Sequence, residues 1–145
     1  FMALSNPDKV ATLVFGGLGI GLVDGVGHWD PIADALLAED SGTISHARGR
    51  SFRAFADQTR SDRRALAVCI VGSRASMSED DVARIAQPTL IAVGTKDDIA
   101  GSPDQLAALM PDAEAFRIEG RDHMLAVGDK SFKQRVLEFY AENPI

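Results

Sequence analysis

Two residues in this chain have the type and placement that proton-transfer chemistry requires. Asp97 stands three residues after Gly94, and His123 stands three residues after Gly120. A carboxylate bonded to an imidazole fixes the ring's tautomer and stabilises the imidazolium, so the second ring nitrogen can act as a general base. Each residue alone has a plainer reading. An Asp just after a strand commonly bonds nearby backbone N–H groups in a turn, and a single loop His is more often a surface residue. Their appearance at two successive strand ends, 26 residues apart, favours an acid–base pair. Asp98 and Asp122 keep the plainer reading.

Two strands have to deliver this pair to one edge. The apolar run within Pro88–Val93, entered through a proline and left through Gly94, predicts a strand buried on both faces of a parallel sheet. Its carboxyl end presents Asp97, and ligands in open α/β sheets gather at that end. Ser102-Pro103 predicts a helix start, with Leu106, Leu109 and Met110 following. Ala115-Phe116-Arg117-Ile118-Glu119 alternates, which predicts a strand nearer the sheet edge, and it leads to His123. Upstream, residues 11–15 (Ala-Thr-Leu-Val-Phe) predict another buried strand. The glycines at 16, 17, 19 and 21 then form a loop, but positions 22 and 24 hold Leu and Asp where a dinucleotide fingerprint needs its third glycine.

The segment 24–87 reads as helical and interrupts the strand–helix alternation, which predicts an inserted all-helical cap. Asp30-Pro31 supplies an N-cap and a first-turn proline for a helix through Ala38. Phe52, Phe55, Ala56 and Thr59 fall at helical spacing, as do Leu66, Cys69 and Ile70, so Cys69 is expected to pack. Ser78 precedes an acidic first turn, Glu79-Asp80-Asp81. Six arginines lie between 48 and 64 (Arg48, Arg50, Arg53, Arg60, Arg63, Arg64). A solvated cap face is the plainer account, and an entrance that attracts anionic substrates is the alternative. Trp29, Phe52, Phe55 and Met124 are candidates to line a substrate pocket, although aromatics at helical spacing are more often core. His28 and His46 share no ligand spacing with each other or with Cys69, so no metal site is expected. Phe132, Val136, Leu137 and Tyr140 place one apolar face on a final helix.

The motifs resemble the α/β-hydrolase fold family. Pro88–Val93 resembles its penultimate strand, Gly94-x-x-Asp97 the loop carrying its acid, Gly120-x-x-His123 its final loop, and Ser131–Tyr140 its closing helix. Residues 3–10 are similar to the end of the helix after the nucleophile. The G-x-S-x-G elbow that carries the nucleophile does not occur in the sequence. The resemblance implies an α/β fold, a partial doubly wound parallel sheet of about three strands, with residues 1–23 and 88–145 in the catalytic domain and 24–87 as cap. It further implies a cofactor-independent, esterase-like hydrolase of a small-molecule ester or acyl bond, with Asp97 and His123 completing a triad whose nucleophile lies outside this chain. Relatives acting on C–C, epoxide or carbon–halogen bonds, perhydrolases, and a non-catalytic binding module remain open alternatives.

Composition limits the partners. A net charge of −6 argues against nucleic acid, since neutralising phosphates needs a basic surface. No apolar run reaches bilayer-spanning length. One cysteine cannot form an intrachain disulfide, which suits a reducing, cytoplasmic setting. The opening Phe1-Met2 suggests a start inside a longer polypeptide. Three strands leave an unpaired edge, so self-association or a missing N-terminal half is expected to cover it.

Overall fold

The computed structural model describes residues 1–25, 27, 29–72 and 75–144. It divides into two compact units, Phe1–Val26 with Ser76–Ile145, and Gly27–Ala75. His28 lies outside the described residues.

The first unit is built on three parallel strands, β1 (Leu13–Gly16), β2 (Thr89–Gly94) and β3 (Ala113–Ile118), in the order β1-β2-β3. Leu13 pairs with Thr89, and Thr89 pairs with Ala113, so all three strands end at one edge. Every residue of β2 is buried, as its apolar run predicts for the central strand of a sheet covered on both faces. Ile91 and Val93 point into a core with Met77, Val82, Ile85, Leu106 and Met110. Ala92 points the other way, toward Ile118, Ala126, Phe116 and Phe132. Period-two alternation thus makes one strand serve two cores.

β1 departs from expectation. It begins at Leu13 rather than Ala11, and Leu13, Val14 and Phe15 are only half-buried. Among the described residues β1 pairs with β2 alone, and an edge strand without a second neighbour cannot bury its apolar side chains fully.

Nine α-helices are described: α1 (Met2–Ser5), α2 (Gly21–Asp24), α3 (Asp30–Leu37), α4 (Ala47–Thr59), α5 (Arg63–Gly72), α6 (Glu79–Ala83), α7 (Pro103–Leu109), α8 (His123–Ala126) and α9 (Lys130–Glu142). Ser78 caps α6 by accepting from the Asp81 N–H at 3.1 Å, and Ser102 caps α7 by accepting from the Gln105 N–H at 3.2 Å. The sequence placed residues 76–87 with the cap. Here Met77, Val82 and Ile85 belong to the core of the sheet unit.

The closing helix α9 turns a different face inward from the one expected. Phe139 is its buried aromatic, while Leu137 is 66% and Tyr140 49% exposed. At about 100° per residue, positions 132, 135, 136 and 139 share one side and 137 points away from it. That side includes Arg135, which pairs with Glu114 on β3 and with Glu142.

The second unit contains α3, α4 and α5. Its core is Ile32, Ala33, Leu36, Ala56 and Ala67, flanked by Trp29, Phe52, Leu66 and Ile70. Gly49 lets α4 approach α3, since a Cβ there would lie 2.7 Å from the Ala35 Cβ. Two sequence expectations fail here. Trp29, already helical in backbone, occupies the N-cap of α3 without a side-chain cap bond, so Asp30 lies inside the helix. Cys69 is exposed, because Leu66, Ala67 and Ile70 define the inward face of α5 and position 69 falls about 100° from its centre.

Candidate active site

The site begins with glycines. Gly94 ends β2 and lies directly against the carbonyl of Arg121, so the loops leaving β2 and β3 touch backbone to backbone. They are then stitched together. Thr95 N–H donates to the Ile118 carbonyl at 3.0 Å and Lys96 N–H to the Arg121 carbonyl at 2.9 Å. The Thr95 hydroxyl accepts from the Gly120 N–H at 2.8 Å. Gly120 has φ +70°, a left-handed turn conformation that glycine adopts without steric cost.

On this scaffold Asp97 and His123 meet, with Nδ1 of His123 2.8 Å from Oδ2 of Asp97. The Asp97 side chain is fully buried and His123 is one-quarter exposed. The other carboxylate oxygen, Oδ1, accepts from the N–H groups of Ile99 at 2.8 Å and Ala100 at 3.0 Å. One oxygen of Asp97 thus forms the turn, and the other meets the imidazole. Burial alone would raise the Asp97 pKa. The His123 hydrogen bond and the two backbone N–H groups outweigh it and hold the carboxyl below its ordinary range. Asp97 is therefore ionised at neutral pH, an acceptor for an Nδ1–H, which makes Nε2 the nitrogen that would exchange a proton with a nucleophile.

His123 is the first residue of α8. Asp122, read from sequence as a turn or cap residue, is its N-cap and accepts from the N–H groups of Met124 at 3.1 Å and Leu125 at 2.8 Å. The glycine loop after β1 completes the surroundings. Gly17, at φ +68°, lies beside the imidazole, where a Cβ would stand 3.2 Å from Cε1 of His123. The loop is fixed to the acid's loop, since Gly19 and Gly21 N–H both donate to the Ala100 carbonyl at 3.0 Å. A hollow of about 210 Å³ adjoins the ring, lined mainly by Gly16, Ala92, Ile118, Ala126 and Phe132.

The remaining candidates are placed as follows. Met124 is half-buried in α8 beside His123. Trp29 and Phe52 belong to the helical unit, packed edge to face with ring centres 6.0 Å apart, and Phe55 is half-buried on α4. Several of the arginines make structural bonds. Arg53, 7% exposed, donates to the carbonyls of Ala35 and Ala38 and pairs with Asp57. Arg63 also reaches the Ala38 carbonyl, and Arg50 bonds the carbonyls of Ile44 and Ser45. His46 caps α4 through Nδ1, which accepts from the Gly49 N–H at 3.0 Å. Among the described residues no group of three or more His, Cys, Asp or Glu is placed to hold a metal, and no helix is long and apolar enough to cross a membrane.

Thr95, Arg121 and Asp129 were not singled out from the sequence, and Gly17 was read only as part of the glycine loop after the first strand. The one local signal was Asp129-Lys130-Ser131 before an amphipathic run, which marks a helix start.

No protein-family model matches the sequence, and no curated protein matches it. Solved structures do match. A hydrolase from Pseudomonas aeruginosa PA01 is 23% identical with a TM-score of 0.68, the match covering 95% of this chain and 58% of that one. An enol-lactonase from Burkholderia xenovorans LB400 is 17% identical with a TM-score of 0.69, covering 97% and 60%. A meta-cleavage product hydrolase from Pseudomonas fluorescens IP01 is 17% identical with a TM-score of 0.55, covering 98% and 60%. The chain has the α/β-hydrolase fold, in part, and spans about three-fifths of the length of these structures.

Proposed function

We propose that the intact protein is a cofactor-independent hydrolase of a small-molecule ester or related acyl bond, in which Asp97 and His123 are the acid and base. The observation that carries this reading is the 2.8 Å contact between Nδ1 of His123 and Oδ2 of Asp97, made by a buried carboxylate whose other oxygen is held by backbone. A turn residue needs only one of those oxygens. In the proposed cycle Nε2 takes the proton of a serine hydroxyl as its oxygen attacks the substrate carbonyl. The same nitrogen returns that proton to the leaving group as the acyl-enzyme forms, and then activates the water that releases the acid. The serine and the oxyanion-stabilising N–H groups come from outside these 145 residues. An enol-lactonase among the structural neighbours supports the choice of an ester-type bond.

The proposal extends to a cap role for the helical unit, to Trp29, Phe52, Phe55 and Met124 as substrate-lining residues, to a cytoplasmic location, and to a preceding half or second copy covering β1. The test is labelling of the intact protein with a serine-directed phosphonate, read as a mass increase, in the parent, Asp97→Asn and His123→Ala. Labelling and ester turnover should collapse in both variants. Activity that survives both substitutions would remove the assignment, and a parent that neither labels nor turns over any ester would favour the non-catalytic module.

A further inference from the structure

We propose that the ion pair between Arg121 and Asp129 is a positioning device for His123, holding the short helix that carries the imidazole in register with Asp97. The inference rests on the reading of Asp97 and His123 as a working pair. The helix α8 is four residues long, too short to be stable by its own hydrogen bonds. Nor does burial hold it firmly. Ala126 is buried, but Leu125 and Val127 are 58% and 61% exposed.

What flanks the helix is better fixed. On one side the Arg121 carbonyl accepts from Lys96 N–H, in the loop that carries Asp97. On the other side Asp129 accepts from the N–H of Ser131 at 2.7 Å and its hydroxyl at 2.6 Å, capping α9, and donates its own N–H to the Ala126 carbonyl at 3.1 Å. Nε of Arg121 then donates to Oδ2 of Asp129 at 2.6 Å. The pair closes the chain around α8 and ties the acid's loop to the start of α9. The Ser131 hydroxyl and the Arg121 guanidinium hold the Asp129 carboxyl well below the usual range, so the clamp stays charged at neutral pH. Arg121 and Asp129 are positioning residues, since they act on the imidazole through the backbone of α8.

The test compares Arg121→Gln and Asp129→Asn in the intact protein, reading the low-field Nδ1–H proton of His123 and its exchange with water by NMR. Asn still caps α9. Through charge alone the two substitutions act on the imidazole with opposite signs, one removing a cation and the other an anion. Through lost positioning they act with the same sign. We expect the resonance to move upfield in both variants and its exchange to quicken about threefold, in keeping with a partly exposed ion pair. Arg121→Lys should recover most of the loss. Arg117→Gln, which breaks the exposed Arg117–Asp104 pair elsewhere in the same unit, should leave the resonance in place. Opposite shifts in the two variants, or none, would overturn the inference. Phosphonate labelling separates the two claims. A parent that fails to label while both variants shift the proton together defeats the hydrolase reading alone, and normal labelling with an unmoved proton defeats the clamp alone.

Discussion

Gly94 is pressed against the carbonyl oxygen of Arg121 so closely that a Cβ would collide with backbone. The contact sets the spacing of the two loops that hold Asp97 and His123, and neither side can yield as a flexible side chain would. Gly94→Ala should destabilise the intact protein by about 3 kcal/mol, the upper part of the usual range for forcing atoms into a packed site. Gly120 also lies in a turn, but an added Cβ there meets nothing within 4 Å. Its left-handed backbone alone should make Gly120→Ala cost about 1 kcal/mol. Urea midpoints of the two variants test the ranking.

Asp97→Asn should leave the fold in place and remove turnover. The amide oxygen can keep the bonds from Ile99 and Ala100. The NH₂ group then faces Nδ1 and donates, which moves the ring proton to Nε2 and leaves that nitrogen unable to act as a base. A loss of about 10⁴ in kcat is expected on the same tautomer argument that governs serine-protease triads. Unchanged circular dichroism together with lost turnover would support this; retained turnover would defeat it.

The lowered pKa of Asp97 fixes the sign of a pH effect. Its folded value lies below the ordinary 3.8, so the stability it contributes is fully present above that value and is lost as pH falls through the folded pKa. The difference in unfolding free energy between the parent and Asp97→Asn should shrink as pH falls below about 4. Asp129 is shifted in the same direction, but it is present in both proteins and cancels from the difference. A difference that stays level or widens as pH falls from about 4 to about 2 would contradict the assignment.

Arg53 should matter for stability rather than for attracting substrates. It is buried, and it satisfies the carbonyls of Ala35 and Ala38 at the end of α3. Arg53→Ala leaves the Ala35 carbonyl without its guanidinium donor and the Ala38 carbonyl with that of Arg63 alone, and should cost about 2 kcal/mol in a thermal or urea melt. Arg64→Ala, at an exposed position on α5, should fall within about 0.5 kcal/mol of the parent.

The 145-residue chain on its own should associate as its concentration rises. β1 pairs on one side only among the described residues, and its apolar side chains are half-exposed. An open strand edge of this kind invites pairing. Light scattering across a concentration series reads the effect, and a sharp, reversible, monomeric melt would refute it.

The sequence by itself determined the elements whose signals are local. The apolar run of β2, the Ser78 and Ser102 caps, and Gly94-x-x-Asp97 with Gly120-x-x-His123 follow from backbone and burial rules that act over a few residues. Local rules cannot rank alternatives that differ only in what lies opposite. They left Asp97 as either a turn residue or a partner of His123, and the tertiary structure puts one of its oxygens in the turn and the other against the imidazole. They put Leu137 and Tyr140 on the inner face of α9 and Cys69 on that of α5, because periodicity supplies a helix's apolar arc but not the direction of its neighbour. They also passed over Thr95, Arg121 and Asp129, and read Gly17 only as a loop glycine. These act on the pair only because parallel pairing of β1, β2 and β3 brings three loops, far apart in sequence, to one edge of the sheet.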